Sequence, residues 1–379
     1  MKIVPRRVFL FLSALIVALF ITSTTTGVHG AGRQGIVLTR NGFRAPLYGV
    51  SQVRDANGDL ITECGRLTPE QVEAARFGRN VSRAMLANSP HAVIGNTANG
   101  ATFDITYSDP QGTGFNDPAT GETARKALEA SVLAWTKVIQ GTVTIRVDAS
   151  MPMQDNTTSD SGSTLLASAG PVDFWTGDNK AVPSALMWQL LNKRQNDGDA
   201  DIQVNVNPKI EWDYALNGVA ARNKVSFVYT LIHEIGHGLG FVDSFDPETG
   251  STLNTLPFVY DTFVNRGSAS RNVLTDHDPD TTIGDLTSND LFFNGANAID
   301  ASRRSIKPLP MIKLYSPNPY EQGSSISHVD QDTYADFKTG LMTPRDFGSG
   351  TDKIDILTLG IMKDLGYQLI PNATTARVQ

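Results

Sequence analysis

Residues 225–240 read VSFVYTLIHEIGHGLG, and this stretch decides how the chain is read. Val225, Val228, Tyr229, Ile232, Gly236 and Leu239 recur at the helical period and predict a helix with one buried stripe. Gly240 sits where a helix C-terminal glycine belongs. His233 and His237 are four apart, so their imidazoles project from one face and can share one zinc ion. Glu234 follows the first histidine and can reach the open side of the same ion. The chemistry needs that arrangement. Zinc lowers the pKa of a water and polarises a carbonyl, while the carboxylate carries the water's proton to a leaving amine.

On either side of this helix the chain alternates between strand and helix patterns. Residues 103–107 and 141–147 alternate like strands, and 123–139 between them carries Ala124, Leu128, Val132 and Trp135 at the helical period. The run DIQVNVN at 201–207 puts Ile202, Val204 and Val206 on one face and predicts a strand with one polar or solvent side. Residues 165–171 are ambiguous, and 182–191 could be a helix. Residues 89–100 read as a loop or linker, 68–88 as a helix opened by Thr68-Pro69-Glu70, and 354–365 as the last helix. A long polar stretch, 243–325, is rich in Asp, Asn and Gly and contains short structured pieces.

Composition narrows the function class. The 379 residues carry a net charge of −7 with a pI near 5.4, and no Lys/Arg cluster follows the first residues, which argues against nucleic acid as a partner. Lys2, Arg6 and Arg7 precede an apolar run at 8–21, and Val28-His29-Gly30 resembles a cleavage site. Residues 1–30 therefore predict a signal peptide and a secreted, extracellular protein with no stable membrane insertion after cleavage. Cys64 is the single cysteine, so no internal disulfide can form.

HEIGHGLGF at 233–241, followed far downstream by Gly340-Leu341-Met342-Thr343-Pro344, resembles the metzincin clan of zinc peptidases, most closely its leishmanolysin-like branch. The likeness covers roughly 103–369. It implies an α+β fold: a twisted mixed sheet over two long helices, an active-site helix in a cleft, a methionine turn at Met342, and a large insertion between the second and third zinc ligands. It implies His328 as that third ligand, because Ser327-His328-Val329-Asp330 lies shortly before the turn, with Asp330 as an orienting carboxylate. Asp243 stands as the alternative, since it occupies the position of the third ligand in short-spaced relatives (HExxHxxGxxD). His277 lacks an apolar anchor, and His91 precedes the domain. DIQVNVN would be either the strand lining the cleft, pairing with an extended peptide, or a central strand.

Three segments follow from this reading: a signal at 1–30, an N-terminal segment at 31–100 that could be a prosegment, and a metallopeptidase domain at 101–370. A thiolate is a strong zinc ligand, and several such peptidases stay latent through a propeptide cysteine. Cys64 could play that part, although Glu63-Cys64-Gly65-Arg66 does not closely match the family's switch motif. Its other reading is a small apolar core residue. Asp276, Asp278 and Asp280 alternate in TDHDPD, a spacing that can bind calcium, but the loop lacks a full calcium pattern and reads better as solvated. The expected activity is that of a zinc-dependent endopeptidase on protein or peptide substrates, with Glu234 as general base. The alternative is a non-catalytic zinc-containing surface or binding protein with a peptidase-like fold.

Overall fold

The computed structural model describes residues 39–41, 48–54, 60–66, 89–95 and 99–371, apart from 153–163, 196–198, 253–255, 268–270, 275–278, 306–307, 335–339 and 347–349. By its contacts the chain divides into Met1–Ile36 and Val37–Gln379, and all described residues belong to the second unit. The signal expected at 1–30, the helix expected at 68–88, and Asp276, His277 and Asp278 lie outside the described residues. Of the acidic triplet only Asp280 falls in a described element, the helix Pro279–Leu286. Among the described residues no helix is long and apolar enough to cross a membrane.

An eight-stranded mixed sheet organises the second unit. Its strands are β1 (Tyr48–Arg54), β2 (Leu60–Arg66), β3 (His91–Gly95), β4 (Thr102–Tyr107), β5 (Ile145–Ser150), β6 (Thr164–Pro171), β7 (Ile202–Val206) and β8 (Arg345–Asp346). They lie in the order β8-β2-β1-β6-β7-β5-β4-β3. β4, β5 and β7 run parallel, and every other neighbouring pair is antiparallel. The α+β class with a mixed sheet is thus observed. Helix α1 (Gly121–Thr136) is the crossover that two parallel neighbours require, joining β4 to β5.

Helix α2 (Phe227–Leu239) packs on α1 and carries the two histidines. Ser226 caps it by accepting from the Tyr229 amide, and the helix ends at Gly240. Every residue from Phe227 to Leu239 except Tyr229 is buried, so the expected stripe is in fact a helix enclosed on all sides. Each fully buried Leu, Ile or Phe contributes about 1.5–3 kcal/mol. Two bonds from α1 fix its height: Trp135 Nε1 donates to the Ile232 carbonyl at 3.0 Å, and Ser131 Oγ donates to the Val228 carbonyl at 3.2 Å. Close packing also explains a glycine of the motif. A Cβ on Gly238 would overlap Ile202 Cγ2 of β7. Gly238→Ala is therefore expected to cost about 1–3 kcal/mol by overpacking, read as a lower denaturant midpoint; an unchanged midpoint would contradict this packing.

Of the two placements left open for DIQVNVN, the central one is observed, and its polar side does not face solvent. β7 is central, flanked by β5 and β6, and all its residues are buried. Its polar residues bond within the sheet instead: Asn205 Oδ1 accepts from Ser150 Oγ at 3.1 Å, and the side-chain amide of Asn207 donates to the Leu165 carbonyl at 2.7 Å. Residues 89–100 are not simply a loop. β3 pairs along β4 at the sheet margin, and its exposed and half-buried residues alternate as an edge strand's do. The ambiguous 165–171 is β6. The segment at 182–191 splits into a strand, Lys180–Pro183, and a helix, Ser184–Leu191.

The polar stretch after α2 builds a small antiparallel sheet from Val264–Arg266, Arg271–Asn272, Leu291–Phe293 and Ile312–Lys313. Its helix Ala296–Arg304 packs on α3 (Ile356–Leu365), the last helix. The chain then returns beneath α2 with His328 and the Gly340–Pro344 turn.

Candidate metal centre

Side chains from three separate stretches of the chain meet at one point. Cys64, His233, His237 and His328 are all buried, and their ligand atoms lie within 4.8 Å of one another. His237 Nε2 is 3.1 Å from His233 Nε2 and 3.4 Å from Cys64 Sγ. Each imidazole is turned by a bond from its other nitrogen. His233 Nδ1 donates to the Leu341 carbonyl at 2.7 Å, His237 Nδ1 to the Phe241 carbonyl at 2.7 Å, and His328 Nδ1 to the Ser324 carbonyl at 2.9 Å. These bonds assign the proton to Nδ1 and leave Nε2 as a lone-pair donor facing the common centre.

Electrostatics favour that state. Burial lowers the His233 pKa to about 4. Burial, then the neighbouring imidazoles, hold His237 and His328 well below the usual range. All three rings are neutral near pH 7, which metal binding requires. Burial, then the Glu234 carboxylate, pushes the Cys64 thiol up; a bound cation would reverse that by stabilising the thiolate. His328 Nε2 is buried with no hydrogen-bond partner among the described residues. An orphaned buried acceptor is costly, and a metal ion at the centre would satisfy it. The Cys/His group could therefore hold a metal ion.

The supports come from several elements. Met342 is fully buried, and a Cβ on Gly236 would stand 3.0 Å from its sulfur, so the turn lies directly against the ligand helix. The Leu341 amide, in turn, donates to Asp355 Oδ2 at 3.1 Å; Asp355 also caps α3. His328 follows Ile326, a β-branched residue at φ +73°. That conformation costs of order 1–3 kcal/mol. It is held by the Ile326 amide bonding to the Tyr315 carbonyl at 2.7 Å and by Tyr260 Oη donating to the Ile326 carbonyl at 2.9 Å.

Among the residues singled out from sequence, His233, His237 and His328 converge. Glu234 stands beside them without joining the ligand group: its Oε1 is 3.8 Å from Cys64 Sγ, and its Oε2 accepts from the Ala169 amide of β6 at 2.8 Å. Asp243 lies outside the group. It is buried, accepts from the Phe245 amide at 3.0 Å, and neighbours Asp261, whose pKa burial and the Asp243 charge raise to about 8. Asp330 does not orient His328; it accepts from Thr333 and pairs with Lys313 at 3.4 Å, because Ser324 already takes the ring proton. His91 lies on β3 at the far margin of the sheet. The calcium reading of Asp276, Asp278 and Asp280 rests mostly on residues outside those described.

Cys64 arrives on a hairpin that closes the site. β1 pairs along β6, β2 pairs along β1, and β8 pairs with β2 at Glu63↔Arg345. The Cys64 amide donates to the Pro344 carbonyl at 2.6 Å, and Ser324 Oγ donates to the Cys64 carbonyl. The hairpin thus joins β6 to the strand that follows the Met342 turn in one continuous sheet.

A family profile matches residues 51–294, from within β1 to beyond α2. The chain belongs to the SPBPB7E8-like family. The matched region contains Cys64, His233, Glu234 and His237, and ends before His328 and Met342. Neither the curated proteins nor the solved structures contain a significant match to the chain.

Proposed function

We propose that this protein is an exported zinc-dependent endopeptidase that the β1–β2 hairpin holds latent. The observation that carries the reading is a carboxylate, Glu234, buried beside three imidazole donors and a thiol without being one of them. A tetrahedral zinc ion with Zn–N of about 2.0–2.1 Å and Zn–S of about 2.3 Å needs ligand–ligand edges of about 3.3–3.6 Å. The 3.1 and 3.4 Å separations lie about 0.2 Å inside those edges, and the Cys/His donor set suits zinc. His233, His237 and His328 would hold the ion, and Cys64 would take the fourth position. When bound, zinc supplies a Lewis acid that polarises a carbonyl and lowers the pKa of a water.

The chain's own groups supply the rest. Ala169 fixes Glu234 through Oε2 and keeps Oε1 turned toward the sulfur. Once the thiol withdraws, Oε1 faces the space it leaves. There it takes a proton from the attacking water and returns it to the leaving amine. An extended substrate would take the place of β2, beside the strand that follows the Met342 turn, held by backbone hydrogen bonds such as the one the Cys64 amide now gives the Pro344 carbonyl.

A second reading is favoured by one observation. Four protein donors make a closed site, as in structural zinc centres. A non-catalytic, zinc-containing binding protein would keep that closure permanently. The two readings part at Cys64. Cys64→Ser is expected to raise the peptidase activity of the unprocessed, zinc-loaded chain by about tenfold or more, since activity scales with the fraction of open molecules. Equal activity of variant and wild type, measured on casein before any cleavage of the chain, would remove the latency proposal.

A further inference from the structure

Resting on the peptidase reading, we propose that Arg345 forms a substrate subsite for an acidic side chain next to the residue that faces the metal. Glu63, the residue before Cys64, fills this subsite in the latent chain. Arg345 Nη2 and Nε donate to Glu63 Oε1 at 2.9 and 3.2 Å. Two donors converging on one carboxylate oxygen make a specific, charge-assisted contact.

The guanidinium is held by groups that do not belong to the hairpin. Nη2 also reaches Glu321 at 3.0 Å, Tyr315 Oη donates to Glu321 Oε2 at 2.8 Å, and the guanidinium lies 5.9 Å from the Tyr315 ring centroid. The Arg345 amide donates to Gln331 Oε1 at 2.9 Å. Departure of the hairpin would leave Arg345 in place, with Nε stripped of the partner it has here. The side chain is partly buried, at 27% exposure, so the contact is neither freely solvated nor sealed. Arg345 directly follows the Leu341–Pro344 turn that borders the metal centre, and its strand pairs with the strand bearing Cys64. A peptide lying where β2 lies therefore offers its neighbouring side chain to Arg345. Glu321 already shares the cation and repels a second carboxylate, so the preference for Glu over Gln is moderate rather than absolute.

The test uses the full chain carrying Cys64→Ser and Glu63→Gln, so that its own hairpin has lost both contacts, loaded with cobalt(II). The probes are a peptide with the sequence of residues 60–66, LITECGR, and the same peptide carrying Glu63→Gln. The peptide thiolate reaching cobalt gives a charge-transfer band, which reads binding without any turnover. The Glu peptide is expected to bind about five- to tenfold tighter at low salt, and the difference should shrink as salt rises. Arg345→Gln in the same background should abolish it. Arg345→Lys, which keeps the charge but loses the two-pronged geometry, should leave part of it. Thermal melts show that each variant folds. Equal affinities, a difference that survives Arg345→Gln, or no band with either peptide at millimolar concentration would each overturn the subsite. Glu-selective binding without hydrolysis of any peptide would instead sink the peptidase reading and leave the subsite standing.

Discussion

Glu234→Gln, made in a chain whose Cys64 is already Ser, should lower turnover on casein or a defined peptide by about 10²–10⁴-fold. Zinc content and melting temperature should barely change. Glutamine keeps a carbonyl oxygen for the Ala169 amide that Glu234 Oε2 now accepts at 2.8 Å, whereas alanine would leave that buried amide unpaired and confuse catalysis with folding. What glutamine loses is the ability to hold a proton beside the position of Cys64 Sγ. A variant with near-normal turnover and full zinc would remove the mechanism.

His328→Ala carries the second large effect. It removes one of three converging imidazoles and leaves His233 and His237 to hold the ion with Cys64. Zinc affinity should fall by more than the roughly 10–100-fold that loss of a supporting hydrogen bond costs, and activity should fall with it. Asp243→Ala gives the contrast. Asp243 accepts from the Phe245 amide and crowds Asp261, so its loss should alter stability while leaving one zinc per chain. Zinc per chain, measured after dialysis against a weak chelator, separates the two. Retention of zinc by His328→Ala with loss by Asp243→Ala would reverse the assignment.

How much of this was legible beforehand depended on the range of the interaction. His233, Glu234 and His237 follow from the helical period, because i and i+4 share a face whatever the rest of the chain does. His328 was reachable only through resemblance, since nothing local marks it; the nearest signal, the strained Ile326, is visible only in three dimensions. The hairpin was the hardest part. Glu63 meets Arg345 across 282 residues, and strand pairing over such a distance leaves no pattern in either segment. β6 hid for a related reason: TLLASAGP is buried nearly throughout and does not alternate. β7 misled by alternating, because Gln203 and Asn205 are buried within the sheet rather than facing water. A lone cysteine in a chain bearing HExxH was the one clue to the fourth donor, and its surroundings, Glu63 and Gly65, gave it no distinctive motif.

The most direct measurement is hydrolysis of casein by the full chain carrying Cys64→Ser, loaded with zinc, assayed with and without a zinc chelator. The expected result is cleavage that the chelator abolishes, that added zinc restores, and that wild type shows only weakly before its hairpin is displaced. A folded, zinc-loaded Cys64→Ser chain that cleaves neither casein nor a broad set of peptides would contradict it.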